Sequence, residues 1–300
     1  MSKYLVISIL IIIVLSLSGF SQVSNDTIAK MGLTKIASVN QGNSYITFPT
    51  DIGNSEPLWF EGNIIPNFMI RKSKNARLMG VLTPQIIIRM YREESAPVRT
   101  PSYMPQLTVY YSLIGKPKLD QFTIFGRFVH HSNGQDGNFY LPDGEINLLS
   151  GDFATNYVEF GVVNNHYNEK LGAIQFYSTS LEVHAPGWSI EELEGIYSMV
   201  RWHNSFSIYK IPLGKQNDNK KRAGISLKAE AMWMFGDINN WQQLSLERLN
   251  VNLTFYYHPK FLEDIGLFVQ IYNGMDYYNI YFNNRLEVIR FGFMTDKLKF

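Results

Sequence analysis

The feature that most constrains this chain is a recurring segment of about ten residues in which apolar and polar side chains alternate. Clear cases are LMGVLTPQIIIRMYR from residue 78, LDQFTIFGRFVHH from residue 119 and NYVEFGVVNNHY from residue 156. The same rhythm runs through QLTVYYSLI from residue 106, AIQFYSTSLEVHA from 173 and IYSMVRWHNSFSIY from 196. It continues in AGISLKAEAMWMFG from 223, LSLERLNVNLTFYY from 244, IGLFVQIYN from 265 and LEVIRFGFMT from 286. Two further segments, 45–50 and 63–71, bring the total to about twelve, an even number of the kind single-chain bacterial barrels have. A period of two places successive side chains on opposite faces of a strand. Each segment is therefore built to face two different environments.

The first residues, MSKYLVISILIIIVLSLSGFSQ, carry Lys3 ahead of an apolar run that ends at Leu17, then small residues at Ser18, Gly19 and Ser21. That order predicts a signal peptide over residues 1–21, cleaved near Ser21 or Gln22, and a single domain over 22–300. The apolar run is shorter than the roughly 20 residues of a spanning helix, and no later stretch reaches that length. Aromatic residues make up 14%, with 18 Tyr and 20 Phe, and there is no cysteine. An exported, cysteine-free, aromatic-rich chain of alternating segments reads as all-β, a transmembrane antiparallel up-and-down β-barrel of the bacterial outer membrane. A net charge of +1 gives no electrostatic case for nucleic acid. One large soluble β-domain is the alternative that length alone allows.

The connections sort by length. Segments 73–77, 115–118, 168–171 and 259–263 are short, whereas 93–105, 133–155, 186–195 and 274–285 are longer and alternate with them. Short turns on one side of the membrane and long loops on the other are a barrel trait. The charged turn 216–222 departs from the sorting, and Phe300 ends the last segment as barrel-assembly signals do.

One segment runs into FGRFVHHSNGQDG, residues 125–137. Counting by two, Phe122, Ile124, Gly126, Phe128, His130 and Ser132 share a face. Thr123, Phe125, Arg127, Val129 and His131 share the other. Arg127 marks the second face as lumenal, so His130 and Ser132 point to lipid at the strand's extracellular end. In the next segment Asn156 shares the outer face with Val158, Phe160 and Val162, while Glu159 points to the lumen. Neighbouring strands then bring Ser132, His130 and Asn156 to one exterior patch. A hydroxyl, an imidazole and a third orienting group are the parts of an activated serine nucleophile. Singly, each residue reads as an ordinary rim residue.

His130-His131-Ser132-Asn133-Gly134 resembles the His-x-Ser-Asn-Gly motif of the outer-membrane phospholipase A family, with Asn156 at the place of its following asparagine. REESAPVRTPSYMPQL, 92–107, and IYNGMDYYNIYFNNR, 271–285, resemble the family's loops before the catalytic hairpin and before the last strand. The resemblance covers the central and C-terminal two-thirds of the chain. It implies a calcium-dependent phospholipase A1 that hydrolyses acyl esters of membrane phospholipids and lysophospholipids and works as a homodimer. Ser132 would be the nucleophile, His130 the base and then acid, and Asn156 the group that orients the imidazole. Calcium would meet the carbonyl of Gln135, the carbonyl of Ser95 from the partner's loop, and Asp152, where the family has a hydroxyl; Asp136 is a further candidate. His131 stands where the family usually has a carboxylate. A barrel of related ancestry without enzymatic activity, a pore or a structural protein, is the competing expectation. Phe125, Val129, Tyr157 and Val163 would fill a pore's lumen.

Overall fold

The computed structural model describes residues 31–49, 51–73, 76–113, 120–213, 223–262 and 264–296. The expected leader, the charged turn 216–222 and Phe300 lie outside the described residues.

Ten strands are continuous. They are β3 (Leu78–Tyr91), β4 (Ser102–Ser112), β5 (Gln121–Ser132), β6 (Ala154–Asn168), β7 (Ala173–Val183), β8 (Val200–Pro212), β9 (Gly224–Phe235), β10 (Leu249–His258), β11 (Ile265–Met275) and β12 (Arg285–Thr295). Two more come in pieces: β1 is Tyr45–Thr47 with Ile52–Gly53, and β2 is Leu58–Ile64 with Phe68–Ile70. All pair antiparallel with their sequence neighbours, and β1 pairs with both β2 and β12. The result is a closed barrel of 12 strands. Closure gives each strand two neighbours, which a hydrocarbon environment demands because nothing there can satisfy a free N–H or C=O. Among the described residues no helix is long and apolar enough to cross a membrane.

Side chains alternate across the wall as the sequence dictates. On β5, Phe122, Ile124 and Phe128 are exposed on the outside, whereas Thr123, Phe125, Val129 and His131 are buried in the lumen. The connections 92–101, 133–153, 184–199, 236–248 and 276–284 gather at one end of the barrel. Some boundaries shift from the sequence pattern. The second segment begins at Leu58, earlier than 63, and is interrupted before Phe68, at a stretch that contains Pro66, whose nitrogen carries no proton to donate. The segment from 196 becomes a strand only at Val200, because 191–193 form a 3-10 turn that packs Leu193 into the lumenal core.

The alternation pattern gave no sign of α1 (Leu33–Gln41). It ends at Gly42, whose φ of 80° suits a helix-terminating glycine. Leu33, Ile36, Ala37 and Val39 bury against Met79, Val81, Tyr110, Phe125, Val163 and Phe176. The helix thus sits inside the barrel at the end opposite the long loops. Asn40 Oδ1 accepts hydrogen bonds from Tyr110 Oη (2.7 Å) and Arg127 Nη2 (3.0 Å). Above it remains a cavity of about 430 Å³, lined by charged groups that include Arg127, Glu159, Glu182, Arg201 and His203.

The seam of the barrel depends on side chains, since β1 contributes so few ladder bonds. Glu61 on β2 is fully buried and meets Arg89 of β3 at 2.7 Å and Arg290 of β12 at 3.2 Å. It also accepts from Tyr45 of β1 (2.7 Å) and from Tyr277 (2.6 Å). Asp276 then takes both ends of the Arg89 guanidinium, at 2.6 and 2.8 Å. Removing one partner of such a set strands the rest as buried charge, at a cost of about 3–5 kcal/mol. Glu61→Ala is expected to lower the unfolding free energy by about that amount, read from urea unfolding in phospholipid vesicles.

Candidate active site

The antiparallel register of β5 and β6 sets His130 opposite Asn156 and Ser132 opposite Ala154. His130 and Ser132, two residues apart, share the outer face. From there the side chains connect in series. His130 Nε2 lies 3.0 Å from Ser132 Oγ, and His130 Nδ1 lies 2.9 Å from Asn156 Oδ1. All three residues are half-buried at the long-loop rim.

The protonation of the imidazole follows from the far end of this series. Asn156 Nδ2 donates to the carbonyl of Trp188 at 3.0 Å. That orients the carboxamide with its oxygen toward His130. An amide oxygen carries no proton, so Nδ1 must donate, and Nε2 is left with its lone pair facing the Ser132 hydroxyl. The imidazole is therefore in the tautomer that can accept the serine proton.

Aromatic side chains frame the patch. Tyr103 of β4 pairs with Ser132 in register and is exposed, and Phe128 packs edge-on against Trp188 at 5.9 Å. On the lumenal side His131 packs edge-on against Phe153 at 4.9 Å and contacts Ser102 Oγ at 3.3 Å. Phe153 belongs to a core with Phe139, Leu193, Tyr197, Tyr278 and Phe282. The long loops therefore fold into the mouth of the barrel and stiffen the wall behind the patch.

The loop after Ser132 is closed by one side chain. Asn133 Nδ2 donates to Gly151 O at 2.8 Å, while its Oδ1 accepts from Gln135 N (3.2 Å) and Phe153 N (3.0 Å). Asp152 N donates to Gly137 O at 2.9 Å. Gln135 and Asp152, seventeen positions apart in sequence, thus sit at the same clasp. Burial, and secondarily the Glu192 carboxylate, raise the Asp152 pKa above the usual range. Gly134 adopts a φ of 67°, a left-handed conformation suited to glycine, and its N–H has no partner among the described residues. Ser95 is exposed on the 92–101 loop, also with positive φ, and no hydrogen bond joins it to Gln135 or Asp152.

Among the expected site residues, Ser132, His130 and Asn156 meet in one hydrogen-bonded series and Gln135 and Asp152 lie at one clasp, while Ser95, expected from a second copy, lies on the 92–101 loop of its own chain. Sequence reasoning missed Trp188 and the clasp made by Asn133. Trp188 contributes a backbone carbonyl, and a carbonyl leaves no residue-type signal. Asn133 was visible only as part of a motif.

No family model matches the sequence, and no curated protein matches it. Solved structures do match in fold. Outer membrane phospholipase A from Escherichia coli aligns with a TM-score of 0.57 at 11% identity, over 93% of this chain and 96% of that one. An active-site mutant of the same protein aligns with a TM-score of 0.55 at 12% identity, over 92% and 95%. The Salmonella typhi outer membrane phospholipase dimer with bound calcium gives 0.56 at 12%, over 91% and 94%. At 11–12% identity the likeness is one of architecture, and over nearly its whole length this chain has the barrel fold of the outer-membrane phospholipases A.

Proposed function

We propose that this protein is an outer-membrane phospholipase A1 that hydrolyses acyl esters of phospholipids and lysophospholipids. The observation that carries the reading is the hydrogen-bonded series Ser132–His130–Asn156 on the lipid-facing surface of the barrel. Hydrolysis at that position needs an ester delivered from the bilayer itself. A pore is disfavoured, since α1 and the ion pair of Arg127 with Glu159 at 2.9 Å occupy the lumen.

Ser132 Oγ attacks the ester carbonyl carbon as its proton passes to His130 Nε2. The Asn156 oxygen holds the other ring proton and keeps the resulting imidazolium in line. The Gly134 N–H, aimed at no protein acceptor, is the candidate donor to the developing oxyanion. When the tetrahedral species collapses, His130 returns the proton to the leaving lysophospholipid oxygen. A water then attacks the acyl-serine, gives its proton to His130 Nε2, and the fatty acid leaves as Ser132 recovers its hydroxyl.

The donor set suits calcium. It consists of oxygens, with one carboxylate whose pKa is raised by burial and by a like-charged neighbour, a situation that a divalent cation relieves. Among the described residues no three His, Cys, Asp or Glu side chains are placed to hold a metal ion, so carbonyl and hydroxyl oxygens and a second copy of the chain would complete the ligation. Asp152 and the Gln135 carbonyl would hold the ion, and Ser95 of a second copy would supply a further carbonyl. When bound, calcium supplies positive charge for the oxyanion. On this reading the active state is a homodimer in the outer membrane, which the protein would reach by a leader over residues 1–21.

In detergent micelles containing phospholipid, fatty-acid release is expected to need calcium and to stop with chelator. Ser132→Ala is expected to lower release at least about a thousandfold while the barrel stays folded. Unchanged release by that variant defeats the nucleophile assignment. Asp152→Asn is expected to raise the calcium concentration for half-maximal release about tenfold; an unaltered calcium curve removes Asp152 from the site.

A further inference from the structure

The outer patch has a counterpart inside the wall. Thr155, next to Asn156, points to the lumen and is fully buried. Its Oγ1 lies 2.6 Å from His184 Nδ1 and 2.6 Å from Ser189 Oγ. His184 Nε2 lies 2.8 Å from Glu182 Oε1, and Glu182 is held by Arg201 at 3.0 Å and His203 at 2.9 Å.

This cluster stands where the sheet runs out. β7 pairs with β6 only from Val183 opposite Val158. Beyond that point the head of β6, which carries Asn156, has no strand on that side. The segment 188–190 takes its place: Asn156 N donates to Trp188 O at 2.8 Å and Ile190 N donates to Ala154 O at 3.1 Å. Thr155 and Ser189 form the bridge between these two bonds. So short a ladder is weakly registered, and a one-residue slip would withdraw the Trp188 carbonyl from Asn156.

We propose that Thr155, Ser189 and His184 are positioning residues that lock this register from inside the barrel and thereby set the orientation of Asn156 and the tautomer of His130 outside it. The proton count supports a single direction. The Glu182 carboxylate takes the Nε2 proton of His184, so Nδ1 accepts from Thr155, whose oxygen accepts from Ser189. With that direction Thr155 both donates and accepts, and the links Ser189–Thr155–His184–Glu182 form one continuous chain across the wall. With the register held, Trp188 O receives both the backbone and side-chain N–H of Asn156. The effect on catalysis rests on the hydrolytic reading given above; the effect on His130 does not.

Thr155→Val keeps the shape of the side chain and removes both hydrogen bonds, and Thr155→Ser keeps the hydroxyl. Ser189→Ala probes the same link from the loop if Thr155→Val does not fold. In 15N-histidine NMR of the refolded full chain, the unaltered protein should show His130 with its proton on Nδ1. Thr155→Val or Ser189→Ala should turn this into a mixture of tautomers and lower kcat about tenfold with little change in KM, and Thr155→Ser should restore both. A folded Thr155→Val or Ser189→Ala variant with an unmixed His130 signal and full kcat overturns the proposal. A shifted tautomer in a protein that hydrolyses no phospholipid upholds the positioning role and removes the hydrolytic reading instead.

Discussion

The closed ladder of backbone hydrogen bonds is the constraint on which the rest of this molecule depends. In hydrocarbon a strand has no solvent to satisfy its N–H and C=O groups, so each strand must find two neighbours and the sheet must meet itself. Once it does, side chains alternate strictly between two environments that share almost nothing. His130 and His131 are adjacent in sequence and end up on opposite sides of a wall. One joins Ser132 and Asn156 at the lipid surface, and the other packs against Phe153 in the lumen. A polar site facing lipid is costly for an ordinary barrel, and here its three members satisfy one another.

The lumen does structural service. At one end α1 fills it with apolar contacts, and at the other the long loops fold inward around Phe153, Tyr197 and Phe282. Between them lies the cavity lined by buried charges in compensating groups. The Glu61 group draws β1, β2, β3 and β12 together at the seam, where the ladder is shortest. The Glu182 group does a similar task at the head of β6, where the ladder is again short. In both places, side-chain hydrogen bonds appear where backbone pairing is thin.

Much of this was legible in the sequence, and the reason is the period of two. Alternation in 119–131 and 156–167 identified the strands, their faces and the outward aim of His130, Ser132 and Asn156, because burial on each face is decided residue by residue. Boundaries were less legible. Residues 196–199 continue the pattern of β8 yet leave the sheet, since Tyr197 is drawn into the loop core. The helix 33–41 has modest amphipathicity and lies in a region where no alternation competes, so its apolar face had no visible partner until Met79, Val81 and Phe176 were placed opposite it.

From the sequence alone came a barrel of about twelve strands, the inward and outward faces of the segments around 122–132 and 156–163, and the three polar residues that share the outer rim, because those depend on local period and on neighbouring strands. How those residues are held follows from contacts that form only on folding. The Trp188 carbonyl that orients Asn156, the Asn133 clasp that sets Gln135 beside Asp152, and the Thr155–His184 contact behind the wall join segments distant in sequence. They act through backbone groups or through hydroxyls that look like any other, and such groups acquire a role only when folding sets a partner within hydrogen-bond reach.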